Sequence, residues 1–281
     1  MSMHLLFYLP DTQDPVGIEA LEDLVRGLPG CRMLAGCAGY RPFEWQDTAT
    51  GAACAGDLGQ PPLEADAADQ ARSYPGWQTL PLSLALPLAA PHWYCVEALD
   101  LVAALLAALP GSAVLDCENT VRADDSEGPG PLDRLALLAS WEAQHQCQTA
   151  SRSDLRRLER HASLALWRYR REQAAAQAAH PDHHWPQTWV MAHGQEACTA
   201  CLWPATADLV ALPPVERVII DQGPQRGVLS REDLLALAAN RQELPAASRS
   251  VDAAVIAPHM NAVDLEPTAS YQMLADGDWS D

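Results

Sequence analysis

Residues 40–58 read YRPFEWQDTATGAACAGDL, and this stretch decides the fold class. Two strand-like runs, 40–45 and 52–58, flank the polar, glycine-ended link Asp47-Thr48-Ala49-Thr50-Gly51, which is the pattern of a β-hairpin. Before it, residues 4–9 form an apolar strand. Residues 14–28 follow as a helix, with Ile18, Leu21, Leu24 and Val25 at helical spacing and Pro29-Gly30 as its stop. Residues 31–35 make a further short strand. After the hairpin, residues 80–88 alternate leucine with other residues, and Pro81 and Pro87 predict an edge strand or extended segment. Residues 94–109 are an apolar helix and 113–117 a last strand. The order strand, helix, strands, helix, strand predicts an α+β fold, with antiparallel sheets, packed helices and a ferredoxin-like split β-α-β first half carrying extra strands.

Residues 59–76 and the acidic stretch 121–130 read as loops, and 131–146 as a helix with Leu132, Leu135, Leu138 and Trp141 in steps of three. The second half opens with Ser153 as N-cap of a long arginine-rich helix reaching about Ala179, ended by Pro181. Residues 187–192 and 197–203 predict a second hairpin, 215–220 a strand, and 231–240 a helix capped by Ser230 with Asp233 three residues on. Residues 251–256 predict a last strand, and the acidic tail from Asn261 is expected partly loose. Two domains follow from this reading. Residues 1–150 form an acidic α+β domain, and 151–281 join the arginine-rich helix to a hairpin-rich second α+β domain.

The charge pattern supports that division. The formal charge is −19, and all 18 basic residues are arginine. Without lysine, Schiff-base chemistry and the catalytic lysine of P-loop proteins and protein kinases are excluded. Residues 1–150 hold 20 acids and 6 arginines, a net −14, whereas residues 151–180 hold 3 acids and 7 arginines, a net +4. This acidity argues against a general nucleic-acid binder, which needs positive charge to neutralise phosphates. The eight cysteines show no repeated spacing and predict reduced core thiols. The opening apolar run lacks a basic flank, and the 94–109 stretch contains Glu97 and Asp100 and is too short to span a bilayer. A cytoplasmic protein without membrane contact is the expectation.

Motif chemistry is sparse. His180, His183, His184 and His193 with Cys198 and Cys201 make the best zinc candidate. On a strand, however, positions 198 and 201 point to opposite faces, so no metal centre and no cofactor are expected. Cys95 lies near His92, and Cys147 near His145, which is weak ground for a nucleophile. There is no G-x-S-x-G, H-E-x-x-H or G-x-G-x-x-G. Nine tryptophans stand against two phenylalanines. Those on periodic elements read as core, and those near loops (Trp45, Trp77, Trp93, Trp185) or in the tail (Trp279) as core or as anchors for a partner.

The layout resembles immunity proteins of bacterial polymorphic-toxin and contact-dependent competition systems. The resemblance rests on the strand of residues 4–9 and on Tyr40-Arg41-Pro42-Phe43-Glu44-Trp45 with Thr50-Gly51. Ser140-Trp141-Glu142, Trp203-Pro204 and the run Leu212-Pro213-Pro214-Val215-Glu216-Arg217-Val218-Ile219-Ile220 add to it. It implies a non-catalytic cytosolic inhibitor whose partner is a cognate toxin or effector protein rather than nucleic acid or membrane. The charge separately favours a basic partner, because a strongly negative surface steers its approach. Asp57, Glu64, Asp66, Asp69, Asp124, Asp125 and Glu127, read as loop acids, are the candidate contact residues, with Trp77 as anchor. Two alternatives remain open. One is an adaptor or chaperone for a secreted effector, using the Arg152–Arg171 helix; the other is a hydrolase without a familiar motif, using His183, His184 or His193.

Overall fold

The opening apolar run becomes β1 (Ser2–Pro10), which lies inside an antiparallel sheet rather than at its margin. The computed structural model describes residues 1–59, 73–120, 127–222, 225–238, 242–260, 263–275 and 278–281. The chain divides into two compact units, Met1–Arg152 and Ser153–Asp281.

In the first unit, β1 is followed by α1 (Ile18–Gly27), β2 (Cys31–Met33), β3 (Tyr40–Gln46), β4 (Ala53–Gly59) and β5 (Trp77–Pro87). Then come α2 (His92–Ala108), β6 (Ala113–Asp116) and α3 (Arg134–Ala150). The six strands lie in the order β2-β3-β4-β5-β1-β6, with every neighbouring pair antiparallel. The run β4-β5-β1-β6 has the ferredoxin-like arrangement, and β2–β3 widen the sheet beyond β4. The β3–β4 turn is tied by the Asp47 carboxylate, which accepts from the Thr50 N–H at 2.7 Å and the Thr50 hydroxyl at 2.8 Å. Burial alternates along the strands. Phe43, Trp45, Cys54, Leu58, Leu82 and Leu84 are buried, whereas Glu44 and Ala55, at intervening positions, are exposed. Gly56 pairs with Phe43, and a Cβ on Gly56 would lie 2.1 Å from the Phe43 ring, so the ring lies directly over a residue that must lack a side chain.

Three expectations for this half are corrected. The 80–88 segment is not an edge strand, since β5 pairs with β4 on one side and β1 on the other. Pro81 is tolerated because the β1 ladder shifts register between Leu6 and Tyr8, and pairing with β4 stops at Leu82. The apolar stripe of α3 runs through Leu137, Trp141, His145 and Thr149 in steps of four, while Leu135 is 81% exposed. Steps of four follow the 3.6-residue turn more closely than steps of three over this length. The helix also starts later than residue 131, at Arg134, because the Asp133 side chain caps it by accepting the Ala136 N–H at 3.0 Å.

The second unit runs β7 (Arg156–Arg157), α4 (Arg160–Ala179), β8 (Thr188–His193), β9 (Glu196–Leu202), β10 (Leu209–Leu212), β11 (Arg217–Gln222) and β12 (Gln225–Ser230). It continues with α5 (Arg231–Leu237), β13 (Gln242–Glu243), β14 (Arg249–Asp252), α6 (Ala253–Met260), a 3₁₀ turn (Thr268–Ser270), β15 (Tyr271–Met273) and β16 (Trp279–Ser280). β8 and β9 form the expected hairpin, with Gly194 at φ 63° in its two-residue turn. β9 also pairs in parallel with β11 and with β7, so this sheet is mixed. A separate three-stranded sheet runs β10-β14-β13.

Here too the local reading needs correction. Ser153 does not cap a long helix. Residues 156–157 are extended, and α4 begins at Arg160 with Glu159 as N-cap. Tertiary pairing overrides helix propensity here: the Arg156 N–H bonds the Asp278 carbonyl at 3.0 Å, and the Leu158 N–H bonds that of Ser280 at 2.9 Å. Residues 251–256 are half strand and half helix, because the Asp252 carboxylate accepts the Ala254 N–H at 2.9 Å and starts α6. Within the tail, β15 pairs with β8, β16 pairs with β7, and Trp279 is fully buried.

Candidate functional site

Of the candidate contact residues, Glu64, Asp66, Asp69, Asp124 and Asp125 lie outside the described residues. The structure places the other three apart. Asp57 is not in a loop: it sits within β4, opposite Ser83, and accepts the Tyr40 hydroxyl at 2.7 Å. That bond, with burial and the carboxylate charge, pushes the Tyr40 hydroxyl up to about 12. Trp77 opens β5, half-buried, opposite Pro10. It stands six residues along β5 from Ser83, a separation of roughly 20 Å at strand rise. Glu127 is exposed.

The acidic surface has other members. Asp11, Asp14, Glu19 and Asp23, before and on α1, are all exposed. Glu19 and Asp23 stand one turn apart on the exposed face of α1, and that spacing by four is their signal in the sequence. The described arginines of residues 1–150 are each engaged by a carboxylate. Arg26 and Arg41 meet Glu22, Arg32 meets Glu44, and Arg134 meets Asp100. An open depression of about 400 Å³ lies beside the hairpin, lined by Glu44, Trp45, Gln46, Ala53, Cys54, Ala55 and Pro87.

A polar knot closes the end of β6. Asp116 is buried, accepts the Ser140 hydroxyl at 2.5 Å and accepts the Glu118 N–H at 3.0 Å. The Glu118 carboxylate accepts the His4 N–H at 3.2 Å. Burial first, and then a hydrogen bond shared with Asp116, push the Glu118 carboxyl above its ordinary value. Nearby, burial with the charges of Glu142 and Asp116 drives the Cys95 thiol up to about 12, which keeps it protonated and poorly nucleophilic. His145 Nδ1 donates to the Leu88 carbonyl at 2.7 Å, and its ring stacks on Trp141 at 4.7 Å. Trp141 donates to the Pro87 carbonyl at 3.2 Å, so these two side chains anchor α3 to the end of β5.

In the second unit the histidine and cysteine set does not converge on one ion. Cys198 packs with Met191 and Ala200, whereas Cys201 belongs to the core of Trp203, Val210, Leu212 and Val218. The two thiols therefore face opposite sides of β9, and burial pushes both up, to about 11 and about 12. His193 stacks on Tyr271 at 4.5 Å, and His184 is exposed, with its backbone bridged to Val210. Among the described residues, His180 and His183 alone of this set come together, joined by Asp182. Asp182 Oδ1 lies 2.9 Å from His183 Nδ1, and Ser250 Oγ lies 2.8 Å from His183 Nε2. Ser250 is 67 residues away in sequence, and no local pattern signals it.

Arginines on α4 are partly committed to the fold. Arg170 donates to the Thr188 carbonyl at 3.1 Å, and Arg171 lies over the Trp167 ring. No family model, no curated protein and no solved structure matches this chain. No helix among the described residues is long and apolar enough to cross a membrane.

Proposed function

We propose that this chain is a non-catalytic immunity or inhibitor protein that binds and neutralises a basic bacterial toxin through the acidic surface of its first unit. One observation carries the reading: the described arginines of residues 1–150 are already paired with carboxylates, while Asp11, Asp14, Glu19 and Asp23 stand exposed. The sequence of residues 1–150 carries a net −14, and these four exposed acids place part of that charge at the surface. Such a field accelerates capture of a basic partner and competes for the surface an anionic substrate would occupy. Asp57 adds a carboxylate on the sheet, two residues along β4 from Ala55, which lines the depression. The hydrolase reading has less support, because His183, His184 and His193 make separate contacts.

Co-expression with the product of a neighbouring toxin-like reading frame is the test. Protection of the host is expected. The association rate of the purified pair should fall steeply between about 0.1 M and about 1 M salt, as the Debye length shrinks from ~10 Å to ~3 Å. Joint replacement of Asp11, Asp14, Glu19 and Asp23 by their amides should slow association and flatten that dependence. Tight binding without inhibition would favour the adaptor alternative, and a salt-independent rate would overturn steering.

A further inference from the structure

We infer that the turn His180-Pro181-Asp182-His183 is a binding site for a divalent transition-metal cation, with His180, Asp182 and His183 as protein ligands and Ser250 as the outer hydrogen-bond partner. The inference does not depend on the toxin-binding reading, since every residue it uses belongs to the second unit.

The backbone holds the turn whether or not an ion is present. His180 ends α4, with its N–H on the Ala176 carbonyl at 2.9 Å. Pro181 prevents the helix from continuing, and the His183 N–H closes the turn on the His180 carbonyl at 3.2 Å. The next residue is pinned to a strand: the His184 N–H bonds the Leu209 carbonyl and the Ala211 N–H bonds the His184 carbonyl, both at 2.9 Å. Ala211 pairs with Ser250 across β10 and β14, so the same strand pair that pins the turn delivers the Ser250 hydroxyl.

Side-chain geometry fits a cation. The three ligand atoms lie within 4.8 Å of one another. Ligands at about 2.0–2.2 Å from one ion are themselves about 3 Å apart when adjacent in its coordination sphere. The Asp182 Oδ1 to His183 Nδ1 separation of 2.9 Å already has that value. His180 and His183 meet edge to face with ring centroids 5.9 Å apart, so both imidazoles border the same space. The His183 side chain is 8% exposed and that of Asp182 is 64% exposed. One imidazole is therefore held in the protein while the carboxylate side opens to water, leaving room for solvent or a further ligand.

Ser250 supplies what a ligating histidine needs from its other nitrogen. A metal-bound imidazole usually donates its remaining N–H to a fixed acceptor, which sets the tautomer. With Nε2–H donating to Ser250 Oγ, Nδ1 presents its lone pair toward the ion and Asp182 supplies negative charge. Without metal, the same atoms are satisfied the other way: Nδ1–H donates to Asp182, and the Ser250 hydroxyl donates to Nε2. Loading exchanges these tautomers, one proton leaving Nδ1 and one being taken up at Nε2, with no net change on a neutral ring. Two imidazoles and one carboxylate suit zinc, cobalt or nickel better than calcium or magnesium, which prefer oxygen ligands.

The test uses the full chain, kept reduced, stripped with chelator and titrated with Co²⁺ alone. One cobalt per chain is expected, with visible d–d absorption of nitrogen and oxygen ligation and no near-ultraviolet thiolate charge-transfer band. His183→Ala and His180→Ala should each weaken binding by at least about tenfold, and Ser250→Ala by about 10-fold to 100-fold through the lost outer hydrogen bond. Cys198→Ser should leave the titration unchanged, and circular dichroism of each variant guards against misfolding. The exposed Asp182→Asn gives a second route that leaves the turn's backbone bonds in place. Thiolate bands, cobalt affinity unchanged in both His180→Ala and Asp182→Asn, or binding no tighter than about 1 mM would overturn the site.

Discussion

The two units solve the same packing problem differently. The first is one six-stranded antiparallel sheet whose two longest strands, β1 and β5, pair with each other near its middle. The second is assembled from short pieces, among them three two-residue strands, and its central strand β9 takes partners from β7, β8 and β11. Long strands carry their own register in alternating burial, whereas short ones hold only because distant segments arrive beside them. Stability of the second unit should therefore depend on residues far away in the chain, and that of the first on fit within its sheet.

The largest effect expected from this contrast is at Trp279. It is fully buried, on a two-residue strand two positions from the end of the described chain, and β16 holds β7 in extended form. Trp279→Ala should cost about 3–5 kcal/mol, read as early hydrogen exchange at the Arg156 and Leu158 amides. A loss below about 1 kcal/mol would mean that the tail does not close this unit. Next in size is Gly56→Ala, which forces a Cβ into the Phe43 ring. It should cost about 1–3 kcal/mol in urea unfolding, and a neutral result would show that the β3–β4 pair shifts more easily than its regular ladder implies. The smallest effect is at Glu118. Its native carboxyl binds a proton more readily than the unfolded one, so its contribution is fully present below the unfolded value near 4.5 and is lost as pH rises through the raised native value. Glu118→Gln, which keeps an acceptor for the His4 N–H, should flatten the fall in stability above about pH 4.5. A variant that tracks the wild type at every pH would break the link between the polar knot and the sheet.

The same contrast governs what could be read from local pattern. The Asp47–Gly51 link and its flanking strands were legible because each requirement of a hairpin is met within nineteen residues, 40–58. The β8–β9 hairpin and the Ser230 cap of α5 were legible for the same reason. Pro81 misled because proline was weighed without the register shift that accommodates it. Ser153 misled because a serine before an arginine-rich run fits a helix start, yet β7 intervenes and buried Leu155 and Leu158 flank it. Of the candidate sites, the histidines of residues 180–184 were visible, but Asp182 and Ser250 were not. A carboxylate between histidines looks like ordinary turn chemistry, and the serine reaches the site only through strand pairing.

Composition and short-range pattern were sufficient for the α+β class, the absence of lysine chemistry, the −19 charge and the hairpins. These are sums or local periodicities, and they are complete within a window of one element. Three features required the folded chain: β5 as an inner strand, Trp279 as core, and the joining of His180, Asp182 and His183 to Ser250. Each depends on backbone hydrogen bonds between segments distant in the chain, whose free energy outweighs local propensity where the two disagree.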